Sequence, residues 1–320
     1  MRGTVSVIIP TMDRGDLLRQ ALESVAAQTR PCDECIVIDA GSDGSDAVAA
    51  RFPFVRYVRQ TTKGLTPARN EALALSDGEY VGMLDSDDLY DPGFLAACVE
   101  ALEANPRAAV AYTRGRAIDA RGNVLGTLLD GHRQPARVLP ALLRDNFVMA
   151  SFSVVRRCAI EAAGGYDETL SWGDDYDLFL RIALLGWEFV HVPRVLASRR
   201  RHRGSLTSAF PAESLNATLR IFEKHDGALR SAVGVQTAPW LAGIDYRLGR
   251  LYFQQGDIAR ARSAFQQATR RDPRHVEARL YYWWCRYYRW ANGPLKTLRT
   301  AKRATWRGLR ALGILENRWQ

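Results

Sequence analysis

The first hundred residues alternate short apolar runs with segments of helical period, and that alternation leaves few folds open. Val5–Pro10 is a largely apolar run of strand length, and in Asp16–Gln28 the residues Leu17, Leu18, Ala21, Leu22 and Val25 recur at helical spacing. The pattern repeats: strands are predicted at Cys35–Asp39, Phe54–Arg59 and Tyr80–Asp85, and helices at Asp46–Arg51, Thr66–Ala74 and Pro92–Asn105. Pro67 suits a first helical turn, where its missing N–H is no loss. Strand and helix in alternation build βαβ units, so the expected fold is α/β, with a Rossmann-like, mainly parallel sheet flanked by helices. Ligands on such sheets collect beyond the carboxyl ends of the strands. Asp39 and Asp85 end two of the predicted strands, each followed by turn residues.

A length of 320 residues allows about two domains, and an apolar fraction of 47% is enough for a sizeable core. The texture changes near Ser214 and stays helical to the end, which predicts a first domain over 1–210 and an all-α region over 211–320. Within the latter, Leu248, Gly249, Tyr252, Gly256, Ala261, Phe265, Ala268 and Pro273 follow the small-and-large template of a tetratricopeptide unit over about 242–275. One such unit cannot bury its own face and needs neighbouring helices.

The formal net charge of +9 is concentrated: Arg279 to Gln320 holds ten basic residues and one acid, and the remainder is balanced. A nucleic-acid binder is not expected from that distribution. Tyr, Trp and Arg interleave in this tail. They suit an anionic membrane surface; alternatively, Tyr281, Trp284 and Tyr288 pack on the repeat unit while the arginines are solvated. No run of about 18 uncharged apolar residues occurs, and the first residues lack the marks of a secretory signal, so a cytoplasmic protein is expected. Five scattered cysteines fit reduced thiols, and Cys32 and Cys35 read as residues leading into a strand.

Asp85-Ser86-Asp87-Asp88 crowds three carboxylates after an apolar strand. Like charges at such spacing are unfavourable unless a cation neutralises them, and hard oxygen ligands suit Mg²⁺ or Mn²⁺. The alternative is a solvated acidic turn that caps the next helix. A second acidic group, Asp174-Asp175-Tyr176-Asp177, lies about ninety residues further on. These acids offer either a catalytic group or a cap for the helix that follows.

The segments Val5–Thr11, Val37–Ser42, Pro67–Asn70 and Leu84–Asp88, in this order and spacing, closely resemble the donor-binding half of family 2 glycosyltransferases. Gly164–Asp167, Trp172–Asp177 and Arg200-Arg-His202 with Ser205 resemble that family's acceptor-side motifs, so the resemblance covers roughly residues 4–208. It implies the GT-A fold and inverting, metal-dependent transfer from a nucleotide-sugar, with uridine favoured, to a hydroxyl of a glycan or lipid-linked acceptor. It further implies that Thr11 and Asp39 contact the base, Arg69 lies near the diphosphate, and Asp85 and Asp87 form the D-x-D pair. Asp87 is then the direct metal ligand, with Asp88 a nearby alternative. His202 matches a position that binds metal or phosphate in some members, or is an ordinary basic-loop residue. Asp175 maps to the catalytic base, with Asp174 beside it where Glu is usual. Trp172 either stacks on a sugar or packs. Two departures bear on the base and ribose contacts: Ala40 stands where many members have a second acid, and the loop Gly41–Ser45 is one residue short. By family analogy the site of action is the inner face of the cell membrane.

Two rivals remain at the sequence level. A catalytically silent scaffold would act through the helical region and have no use for three intact acids. A nucleotidyltransferase would show a glycine- and basic-rich loop after the first strand, which Thr11-Met-Asp-Arg-Gly does not supply.

Overall fold

The computed structural model describes residues 3–128, 137–201, 211–234 and 236–287. It forms two compact units, Met1–Trp240 and Leu241–Gln320.

The first unit begins with β1 (Val5–Thr11), α1 (Gly15–Ala26), β2 (Glu34–Asp39), α2 (Ser45–Ala49), β3 (Val55–Arg59), α3 (Leu65–Ala74) and β4 (Tyr80–Met83). All seven residues of β1 are buried, as a strand covered on both faces requires. It pairs in parallel with β2 on one side and β4 on the other, and β2 pairs in parallel with β3. Thr11 and Asp39 are register partners, so their side chains reach the same sheet edge together. Helix α1 turns Leu18, Ala21, Leu22 and Val25 inward onto this core. Cys35 lies in the same core with Cys32 packed against it, so the CxxC is part of the packing.

Next come β5 (Leu89–Tyr90), α4 (Phe94–Ala104), β6 (Ala108–Ile118), β7 (Val124–Leu128), α5 (Val138–Arg144), β8 (Ser153–Arg156), α6 (Arg157–Ala162), α7 (Asp174–Leu184) and β9 (Glu188–Arg200). The sheet order is β3-β2-β1-β4-β8-β6-β9-β5, with β7 on β6. Antiparallel pairings enter at β8, which lies between β4 and β6, and at β5 and β7. The sheet is therefore mixed, parallel throughout its first four strands. The β6–β7 turn shows one cause: Asp119 Oδ1 accepts from the Arg121 and Asn123 backbone N–H groups, and so short a connection can return only antiparallel.

Helix α8 (Pro211–Val233) groups with the first unit. Its Ile221 and Phe222 are buried, and Phe222 meets the Tyr176 ring at 5.9 Å.

The second unit is built on α9 (Ala238–Gln255), α10 (Ile258–Arg271) and α11 (Val276–Tyr287). Gly256 turns the chain with φ +82°, and Asp257 caps α10 by accepting from the Arg260 N–H at 3.0 Å. The tetratricopeptide template is seen directly: Ala261, Phe265 and Ala268 are buried, and a Cβ on Gly249 would lie 2.6 Å from the Phe265 ring. Tyr281 stacks on Phe265 at 5.0 Å, and Trp284 meets Phe253 at 5.9 Å. Those two aromatics of the tail therefore pack on the repeat, whereas Tyr288 lies outside the described residues. Phe265→Ala is expected to cost this unit about 3–5 kcal/mol, read as a fall in the denaturant midpoint. Among the described residues no helix is long and apolar enough to cross a membrane.

Candidate active site

The chain leaves β4 at Met83 and turns tightly, the Asp88 N–H donating to Asp85 O at 2.9 Å. Three groups from elsewhere hold this turn. Ser151 Oγ accepts from the Asp85 N–H at 3.1 Å, and Asp88 Oδ1 accepts from the Arg200 N–H at 3.0 Å. The buried Arg200 guanidinium donates to the carbonyls of Asp87, Asp119 and Ala120 and to Gln20 Oε1. So fixed, Asp85, Asp87 and Asp88 present carboxylate oxygens within 4.8 Å of one another. Burial, then the charges of Asp85 and Asp87, pushes the Asp88 carboxyl well above the usual range. A divalent cation relieves that crowding, and an all-carboxylate donor set fits Mg²⁺ or Mn²⁺. Arg14, from the loop after β1, pairs with Asp87 at 2.9 Å.

Asp174 and Asp175 are the first two residues of α7. The N-cap position is Gly173, in the left-handed region with φ +71°, so neither acid is the cap. Asp175 Oδ1 accepts from the Tyr176 N–H at 2.8 Å. Burial and the neighbouring Asp174 charge push the Asp175 carboxyl up to about 6, against the opposing pull of Arg69.

Arg69 joins the two acidic groups. It is 3% exposed on α3, and one arm donates to Asp85 at 2.8 Å while the other donates to Asp174. Its guanidinium also lies over the Tyr166 ring, 5.5 Å from the centroid. Asp85 and Asp174, far apart in the chain, thereby share one cation, and Arg69 itself lies 105 positions from Asp174.

At the neighbouring sheet edge, Asp39 is buried and accepts from the Gly41 N–H at 2.7 Å and the Tyr57 hydroxyl at 2.8 Å, with Arg59 3.5 Å away. Thr11 Oγ1 is buried beside it with no protein hydrogen-bond partner. Gly41 permits the loop to close: a Cβ there would lie 2.3 Å from the Asp13 backbone nitrogen. Trp172 is half-buried two residues before Asp174. His202 lies outside the described residues. Sequence reasoning did not single out Arg14, Tyr57 or Ser151, and it quoted Arg200 only as part of a basic motif; no spacing marks them.

A sheet parallel in its first half, with a carboxylate turn beyond its fourth strand and a second acid pair facing it, is a GT-A glycosyltransferase architecture. Residues 6–161 match the profile of glycosyl transferase family 2, and residues 242–284 match that of a tetratricopeptide repeat. The chain carries a family 2 glycosyltransferase domain, followed by a tetratricopeptide unit. Chondroitin synthase of Escherichia coli is 29% identical over 203 residues, 62% of this chain and 29% of the synthase. The chain spans less than a third of the length of this and several other curated relatives. Among solved structures, residues 1-349 of S. aureus TarS in complex with UDP-GlcNAc superpose with TM-score 0.63 at 17% identity, covering 90% of this chain and 92% of that one. The mannosyltransferase PcManGT of Pyrobaculum calidifontis, in complex with GDP-Man and Mn²⁺, gives TM-score 0.56 at 19% identity, covering 89% and 88%. At such identities the likeness establishes the fold.

Proposed function

We propose that this protein transfers a sugar from a nucleotide-sugar, with a uridine nucleotide favoured, to an acceptor hydroxyl, inverting the anomeric centre. The observation that carries the reading is the Arg69 bridge, which holds Asp85 of one acidic group and Asp174 of the other in a single site. In this account Thr11 and Asp39 receive the base, and Arg69 lies beside the diphosphate while orienting both acids. Asp85 and Asp87, with Asp88 adjacent, hold Mg²⁺ or Mn²⁺. Bound there, the cation supplies Lewis-acid stabilisation of the leaving diphosphate. Asp175 takes the proton of the acceptor hydroxyl from the face opposite the leaving group, which gives inversion.

A base must be deprotonated to act. With Asp175 raised to about 6, activity is expected to fall as pH drops through about 6 and to be level above it, at least until other groups titrate. A kcat–pH profile reads this limb directly.

The test of the reading is a thermal-shift screen of UDP-, GDP- and dTDP-sugars with Mn²⁺. A ligand at 100 times its Kd stabilises by about 2.7 kcal/mol, a shift of several degrees. One donor is expected to give that shift in the wild type, and Asp87→Ala to abolish it. No shift across the panel sinks the enzyme reading and favours the scaffold.

The acceptor in this reading is a surface polysaccharide or glycolipid precursor, met at the inner face of the membrane. What supports the membrane location is α11, where Val276, Leu280 and Trp283 are exposed at helical spacing with Arg279 and Arg286 alongside.

A further inference from the structure

Beside the acid pair lies a cavity of about 260 Å³, lined by Thr169, Leu170, Ser171, Trp172, Arg220 and Lys224. Its size is near the lower end of the roughly 300–1,000 Å³ typical of small-molecule pockets, room for about one sugar ring. One wall is the loop that runs directly into Asp174. The Leu170 carbonyl of that loop accepts from Thr66 Oγ1 at 2.9 Å, tying it to α3, the helix that carries Arg69. The other wall is α8. It lies close against the start of α7: a Cβ on Gly173 would be 3.0 Å from Ile221 Cδ1. Arg220 and Lys224 stand one turn apart on α8, so both reach the cavity.

The polar chemistry of this cavity is one-sided. Its polar lining groups are two hydroxyls, an indole, a guanidinium and an ammonium, with no carboxylate among the described lining residues. Asp167 lies behind and arranges them. Its Oδ1 accepts from the Thr169 N–H and hydroxyl at 2.9 and 2.8 Å, and its Oδ2 pairs with Lys224. Lys224 also pairs with the buried Asp177 at 3.3 Å, which His225 and Arg181 contact as well. Lys224 is thus held and largely compensated. Arg220 is exposed and has no carboxylate at ion-pair distance among the described residues. An aromatic face beside an uncompensated guanidinium suits a sugar ring that carries its own negative charge.

The geometry points to an acceptor subsite here for a hexose bearing an anionic group, a carboxylate or a phosphate, with Arg220 as the residue that selects the charge and Trp172 as the platform for the ring. As an acceptor site it rests on the glycosyltransferase reading above; as a binding site it can be measured without donor or metal.

Ligand-observed NMR titrations of the full chain would compare methyl β-glucuronide, glucose 6-phosphate, methyl β-glucoside and inorganic phosphate. The wild type is expected to bind a charged hexose about fivefold more tightly than the neutral glucoside, the scale of one exposed charge pair. Whichever of the two charged hexoses leads identifies the anionic group. Arg220→Ala is expected to erase the preference, and Arg19→Ala, on the surface of α1, to keep it. Equal binding of charged and neutral hexoses by the wild type overturns the proposal. So does a preference that survives Arg220→Ala, or inorganic phosphate binding as tightly as the charged sugars, which would leave only a simple anion site. Failure of the transferase reading shows separately, as loss of the Mn²⁺-dependent donor shift.

Discussion

Asp175→Asn is expected to lower turnover by about 10²–10⁴-fold, the usual contribution of a positioned general base, while donor affinity stays near the wild-type value. The substitution keeps the shape and leaves an oxygen to accept the Tyr176 N–H, so α7 starts as before. It removes only the lone pair that takes the proton. Single-turnover kinetics with saturating donor separates this from a binding defect. The acid limb near pH 6 should vanish from what activity remains, because the group that titrates there is gone. A variant that retained both full turnover and that limb would assign the proton to another residue.

Arg69→Ala is expected to lose activity and also to destabilise the first unit, by about 3–5 kcal/mol, because it leaves the buried Asp174 carboxylate without its cation. Arg69→Lys should rescue little of the activity, since one ammonium does not reproduce the two-armed fork that reaches Asp85 and Asp174 together. Replacing both members of the buried pair, Arg69→Met with Asp174→Leu, should recover most of the stability without the activity. Denaturant melts of the three variants read the stability, and a donor-hydrolysis assay reads the function. Recovery of activity in the double variant would reduce Arg69 to a packing residue.

The parts legible in the sequence are those that local chemistry forces. Strands β1 and β2 are covered on both faces and have to be apolar runs, and α1 has to show its inward stripe, so these elements fall within a few residues of expectation. The carboxylate cluster is legible for a similar reason: three acids in four residues are costly without a counter-charge. The mixed half of the sheet is not legible. Strand β8 is four residues long and finds both neighbours by non-local pairing, while β9 carries Glu188, His191, Pro193 and Arg194 in a span that shows no period. Helix α8 reads as the start of the helical region, yet its Ile221 and Phe222 are buried within the first unit. Arg69 is one of 44 basic residues, and nothing in its neighbourhood announces that it reaches across to Asp174. Arg200 is similar, lying at the edge of a basic run whose other members give no sign that this one is buried.

Crystals grown with Mn²⁺ and the nucleoside diphosphate of the donor that wins the thermal screen would place the metal by its anomalous signal. The account predicts a peak in direct coordination with Asp87, with the diphosphate lying between it and the start of α7. A metal bound elsewhere, or a diphosphate on a surface that Asp175 does not face, would contradict it.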